Sequence, residues 1–136
     1  MNNGRFATSI HILTLLEQAG EELLSSEYLA SSININPVLV RKEVSNLRNH
    51  GLVATKEGKN GGSYLAKPAA QIKLADVYKA VRNESLLGYN KNEPNPACPV
   101  GRQINQHLDE LYDIAELAVL QKLGNITLAE FCHRFK

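Results

Sequence analysis

No apolar run in this chain of 136 residues approaches the length needed to span a bilayer. Its opening Met1-Asn2-Asn3-Gly4-Arg5 does not lead into a signal-peptide core and cleavage site. Only two cysteines are present, Cys98 and Cys132, too few and too far apart for the disulfide framework of a small secreted domain. The expected compartment is the cytoplasm, with no membrane partner. Catalytic signatures are also missing. There is no Gly-x-Ser-x-Gly, His-Glu-x-x-His or Cys-x-x-Cys, and the acidic residues are dispersed. The glycine-rich run Gly58-Lys59-Asn60-Gly61-Gly62 lacks the Gly-Lys-Ser/Thr ending of a phosphate-cradling loop, and no dinucleotide fingerprint occurs. An enzyme is therefore not expected.

Strong net charge is absent as well, at +1 overall, but the charge is unevenly placed. Residues 1–35 set Arg5 against Glu17, Glu21, Glu22 and Glu27, a net of −3. Residues 36–67 set Arg41, Lys42, Arg48, Lys56, Lys59 and Lys67 against Glu43 and Glu57, a net of +4. The remainder balances at eight and eight. The positive excess sits in one short segment, as a nucleic-acid footprint requires.

That segment has a legible local structure. Phe6, Ile10, Leu13 and Leu16 recur at helical spacing, predicting a first helix that ends near Ala19-Gly20. Ser25 is a good N-cap for a short second helix carrying Tyr28, Leu29 and Ile33. Asn36-Pro37 marks the start of a third: proline drives Asn36 out of helical angles, and its missing N–H costs nothing at the first helical position. Gly51 fits the position just past that helix's end. Val40, Val44 and Leu47 share its inner face, and at roughly 100° per residue Val38, Lys42, Ser45 and Asn49 fall opposite, with Arg41 on the flank. Val53–Glu57 and Ser63–Ala66 read as two short strands joined by the flexible basic tip. The order is a helix-turn-helix with a wing, which places one helix in the DNA major groove and a loop beside it.

Beyond Pro68 the periodicity predicts a helix from about Leu74 to Arg82, with Leu74, Val77, Tyr78 and Val81 as its stripe. The polar, proline-rich residues 88–99 form a loop, and a long helix follows from about Pro99 to Leu123. Ile104, Leu108, Leu111, Ala115 and Ala118 line one side of it, and Ile114, Leu117 and Leu120 widen the apolar area beyond one contact face, as a helix paired with a second subunit requires. Thr127-Leu128-Ala129-Glu130 is a capping box opening a last short helix. The expected fold is thus mainly α with a small β-hairpin wing. Residues 1–67 form the winged helix-turn-helix lobe, and residues 68–136 a dimerisation and sensing region.

Several separated runs carry a family likeness: Asn36-Pro37-Val38-Leu39-Val40-Arg41-Lys42, Gly51-Leu52-Val53, Gly61-Gly62-Ser63-Tyr64-Leu65 and Ile72-Lys73-Leu74-Ala75-Asp76-Val77-Tyr78. Together they resemble the Rrf-two family of bacterial winged-helix transcriptional regulators. The segment Asn95-Pro96-Ala97-Cys98-Pro99-Val100-Gly101 is most similar to its YwnA-like branch. The resemblance implies a homodimer crossed through the long helix, reading a pseudo-palindromic operator in double-stranded DNA, by family habit more often as a repressor. It places Pro37, Val38, Arg41 and Lys42 at the groove-facing start of the recognition helix. Lys59, Asn60 and Gly61 form the wing beside the minor groove, and Arg5 and Ser26 lie at phosphates.

Cluster-binding members of that family carry three cysteines in the loop before the long helix and in some cases a histidine just after the third. Here only Cys98 is present, with Gly101 where that histidine would stand. One thiolate does not hold an iron–sulfur cluster without other ligands, so neither a cluster nor another metal cofactor is expected. Cys98 itself stands about where the long helix begins, a position that favours a thiolate, and reads either as a redox- or ligand-responsive thiol or as a cap residue that happens to be cysteine. Cys132, spaced with Leu128, Phe131 and Phe135, reads as a small buried hydrophobe. Two other functions stay open at this level: an adaptor that binds a metabolic enzyme through the long helix and loop, and a small-molecule or redox sensor in which DNA binding is secondary. The effector is not legible in the sequence.

Overall fold

The computed structural model describes residues 4–82 and 87–135. Its elements run α1 (Arg5–Ala19), α2 (Ser26–Ile33), α3 (Pro37–Asn49), β1 (Val53–Lys56), β2 (Gly62–Leu65), α4 (Leu74–Val81), α5 (Pro99–Leu123) and α6 (Leu128–Cys132), with one-turn 3-10 helices at Ala69–Gln71 and His133–Phe135. The mainly helical winged fold expected of the sequence is the fold observed.

The ends of the helices follow local chemistry. Ser25 accepts a hydrogen bond from the Tyr28 N–H, capping α2, and Asn36 Oδ1 accepts one from the Val38 N–H at 2.8 Å, capping α3. Gly51, at φ +76°, takes the left-handed turn after α3. The Thr127–Glu130 capping box opens α6 with both reciprocal bonds formed. The hairpin is antiparallel, with Val53 opposite Leu65 and Lys56 opposite Gly62. The first strand starts at Val53 as predicted and ends one residue early, and the second runs one residue ahead of the predicted Ser63–Ala66, because Gly62 pairs with Lys56 and Ala66 lies outside the ladder. Arg82 caps α4 instead of belonging to it.

The core gathers Ile12, Leu13 and Leu16 of α1, Leu29 of α2, Val40, Val44 and Leu47 of α3, Val53 of β1, Val77 of α4, and Leu128 and Cys132 of α6. Cys132 is buried as expected, its thiol filling a small apolar space. The 25-residue α5 stands apart: none of its residues is buried, and it leans on α4. Tyr78 Oη donates to Glu116 at 3.2 Å, and Arg82 pairs with the same carboxylate. Burial first, then the Glu116 charge and hydrogen bond, raise the Tyr78 pKa above its ordinary value, with Arg82 opposing. Tyr89 bonds to Asp109 and stacks on Tyr112, whose hydroxyl donates to the Gly88 carbonyl at 2.6 Å, so the segment before α5 folds back along it. No described helix is long and apolar enough to cross a membrane.

Candidate nucleic-acid interface

With Val40, Val44 and Leu47 turned inward, α3 presents Val38, Arg41, Lys42 and Asn49 to solvent and half-buries Ser45. Between α3 and the hairpin lies an open cleft of about 400 Å³ lined by Ser25, Ser26, Arg41, Ser45, Arg48 and Lys56, among others. Arg48 Nη1 donates to Thr55 Oγ1 at 3.1 Å, tying the end of α3 to β1, and Arg41 pairs with Glu27 of α2 across 3.4 Å of solvent-exposed surface. An exposed pair of that kind is weak, so Arg41 is available to a stronger anion.

The wing tip is a tight turn. Gly61 N–H donates to Gly58 O at 3.0 Å and Asn60 sits at φ +66°, a conformation asparagine tolerates. A Cβ on Gly61 would stand 2.1 Å from the Lys56 carbonyl oxygen, so the tip cannot carry a larger residue there without reshaping. Lys59 and Asn60 project from this turn into solvent. The hairpin is also pinned at its base, where Leu24 and Ser63 exchange both backbone hydrogen bonds, at 2.8 and 3.2 Å. That rung, from the connection between α1 and α2, orients the wing against the helices.

Of the two residues that the family likeness puts at phosphates, Ser26 opens α2 inside the cleft. Arg5 is differently engaged. Its Nε donates to Glu43 Oε2 at 2.7 Å and its Nη1 to the Val81 carbonyl at 3.2 Å, so its guanidinium is held between α3 and the end of α4. In the protein without DNA, Arg5 thus ties α3 to the end of α4. Glu43 is a buried carboxylate on the inward face that the period of α3 gives to Val40, Val44 and Leu47, although nothing local names its partner, and Asn46 Nδ2 adds a second link from α3 to the Ala80 carbonyl at 2.8 Å. Arg48 also lies outside the predicted set, although it follows Arg41 by two helical turns and so shares its flank.

In the loop before α5, Cys98 is exposed and caps that helix, its Sγ accepting from the Gly101 N–H at 3.4 Å. A Cβ on Gly101 would meet the Asn95 carbonyl oxygen at 2.6 Å. Of the predicted dimerisation residues, Ile104, Leu108 and Ala115 are half-buried, while Leu111 and Ala118 are exposed, with Ile114 68% and Leu117 58% exposed beside them. Across the lobe, Phe6, Ile10, Leu15, Leu74, Phe131 and Phe135 line an open, mainly apolar groove of about 600 Å³ along α1 and α6.

Known proteins share this arrangement. The family model described as "Rrf2: Iron-dependent Transcriptional regulator" matches residues 3–134. The YwnA protein of Bacillus subtilis is 38% identical over 130 residues, 96% of each chain. The HTH-type transcriptional regulator NsrR of Oceanobacillus iheyensis is 30% identical over 124 residues, 87% of this chain and 84% of its own. Among solved structures, CymR, the global cysteine regulator of B. subtilis, superposes with a TM-score of 0.70 at 22% identity over 97% of this chain and 95% of its own, a likeness of fold.

Proposed function

The chain belongs to the Rrf2 family of transcriptional regulators, of the winged-helix DNA-binding type and not an enzyme, and from that footing we propose that it binds a pseudo-palindromic operator as a homodimer and represses by occupying the promoter. The observation that carries this reading is the basic cleft between α3 and the wing, bordered by Arg41 and Arg48 and continued by Lys42 and Lys59. In this reading Lys42 and Lys59 supply phosphate attraction without sequence information, and Arg41, near the start of α3, meets a base edge. Dimerisation is supported by α5, whose Leu111, Ile114 and Leu117 stand exposed in their own protomer, and by the apolar α1–α6 groove available to a second copy. Two lobes related by a twofold axis read two half-sites.

The family description speaks of iron, yet the donor set here is poor in ligands for an iron–sulfur cluster. Cys98 is the loop's only cysteine, Cys132 is sealed in the core, and Gly101 has no room for a side chain. Among the described residues no three His, Cys, Asp or Glu are grouped to hold a metal. These residues do not fit a cluster, and we propose that the chain regulates without one. The signal is assigned instead to the Cys98 loop. Hydrogen peroxide would transfer one oxygen to the Cys98 thiol, giving a sulfenic acid and one water, altering the cap of α5 and, through it, the spacing of the two recognition helices.

The test is binding of the reduced full-length protein to its own upstream DNA and to a scrambled duplex across a salt series, then after mild peroxide. Specific binding with a steep salt slope is expected, with an oxidant-induced loss that Cys98→Ser resists. Equal, weak affinity for both duplexes would overturn the operator reading and favour an adaptor that engages an enzyme through α5.

A further inference from the structure

The first turn of the recognition helix is unusual in what it cannot do. A helix start normally presents free N–H groups that hold a phosphate or a polar base edge. In α3 the first of these is missing, because residue 37 is proline. The next is taken, because the Val38 N–H donates to Asn36 Oδ1 at 2.8 Å, and the Leu39 N–H donates to the Asn36 carbonyl at 3.0 Å. The leading edge of the helix therefore offers no backbone donor through residue 39.

What it does offer is an isopropyl group. Val38 is 60% exposed and lies at the centre of the outward arc, flanked at helical spacing by the polar Lys42, Ser45 and Asn49. Its β-branched side chain has one strongly preferred rotamer in a helix, so its two methyls are held in a fixed direction. An apolar group projecting from the middle of a polar, groove-facing surface gains by meeting an apolar counterpart. The floor of the major groove contains one such feature, the 5-methyl group of thymine.

We propose that Val38 is a specificity-determining residue that reads a thymine methyl in each half-site, while Arg41 and Lys42 one turn later supply the polar and phosphate contacts. The proposal rests on the operator-binding reading above and extends it by naming the chemistry of one recognised base. It also requires that α3 make no backbone phosphate contact at its start, leaving that role to side chains and to α2.

The experiment begins with selection of preferred duplexes from a random pool by the full-length dimer. Each thymine of the selected site is then replaced, singly and in symmetric pairs, by deoxyuracil, which removes the 5-methyl and nothing else. At one thymine per half-site the replacement should weaken binding by about fourfold, and by about fifteenfold for the symmetric pair, the factors that burial of one methyl-sized group carries. Val38→Ser should bind the thymine and uracil sites equally, and Val38→Ile should keep the difference. A site indifferent to uracil at every position, or an undiminished penalty in Val38→Ser, would overturn the thymine contact alone. A pool that yields no preferred sequence would remove the operator reading and the thymine contact together.

Discussion

Replacing Arg5 by methionine separates a buried ionic tie from a surface pair. Glu43 lies on α3 with its side chain 8% exposed, while the Arg5 side chain keeps 30% of its surface in water. Removing Arg5 leaves a nearly dry carboxylate facing the apolar stem that replaced its partner. Losing one member of a buried pair costs about 3–5 kcal/mol. Removing Glu43 instead, as Glu43→Met, leaves a guanidinium that still donates to Val81 O at 3.2 Å and reaches solvent; of its two bonds to Glu43, the one at 2.7 Å carries most of the expected cost, about 1.5–3 kcal/mol, and the one at 3.4 Å adds little. The double variant returns close to the parent, since two well-packed apolar groups replace a buried ion pair at little cost. Urea unfolding at one fixed chain concentration reads all three, and the coupling follows from the cycle. A cost below about 1 kcal/mol for Arg5→Met, in the range of exposed pairs, would mean that Glu43 finds water and that the tie is ordinary surface chemistry. The same cycle has a functional readout. Because Arg5 bridges α3 and the end of α4, Arg5→Met should lower operator affinity even where the lobe remains folded; an unchanged salt slope would mark Arg5 as a positioning residue, and a slope reduced by about 1 per protomer would mark it as a phosphate contact.

Four other outcomes are expected. Arg41→Ala should lose about 1–3 kcal/mol of operator binding, the worth of a bidentate base contact, and relax preference at one position; unchanged affinity and preference would remove Arg41 from the interface. Lys59→Ala should reduce the slope of log K against log salt by about 1 per protomer with little effect on sequence preference, and an unaltered slope would place the wing away from the backbone. Ile114→Asp puts a charge on an α5 position that is 68% exposed in the protomer; sedimentation should then show monomers, and a persisting dimer would locate the contact elsewhere. Tyr78 has its pKa raised by burial and by Glu116, so the folded state holds its proton longer than the unfolded chain does. Its contribution to stability is complete below the ordinary tyrosine value of about 10 and is lost as pH rises through the folded value, so Tyr78→Phe should flatten the alkaline fall in stability.

Elements whose ends are set by local chemistry are legible in the sequence itself. Ser25, Asn36-Pro37, Gly51 and the Thr127–Glu130 box act within a few residues, and each appears where its chemistry places it. The inward face of α3 follows from its period. Contacts between distant parts of the chain are not legible. Arg5 and Glu43 lie 38 residues apart, and although the period of α3 puts Glu43 on the inward face with Val40, Val44 and Leu47, nothing local pairs it with Arg5. The Leu24–Ser63 rung is equally non-local and leaves no trace in either segment's pattern. Arg48 differs, since its two-turn spacing from Arg41 is a local signal that places it on the same flank of α3.

The isolation of α5 carries a consequence for gene control. A 25-residue helix with no buried position in its own protomer is held there by surface contacts with α4 and with the segment before it, and would gain its burial from a second copy. In the proposed dimer its burial, and the spacing of the two recognition helices, depend on how much protein the cell contains. Below the dimer's dissociation constant, operator occupancy should rise as the square of chain concentration, and above it in simple proportion. Abundance then becomes an input to the switch.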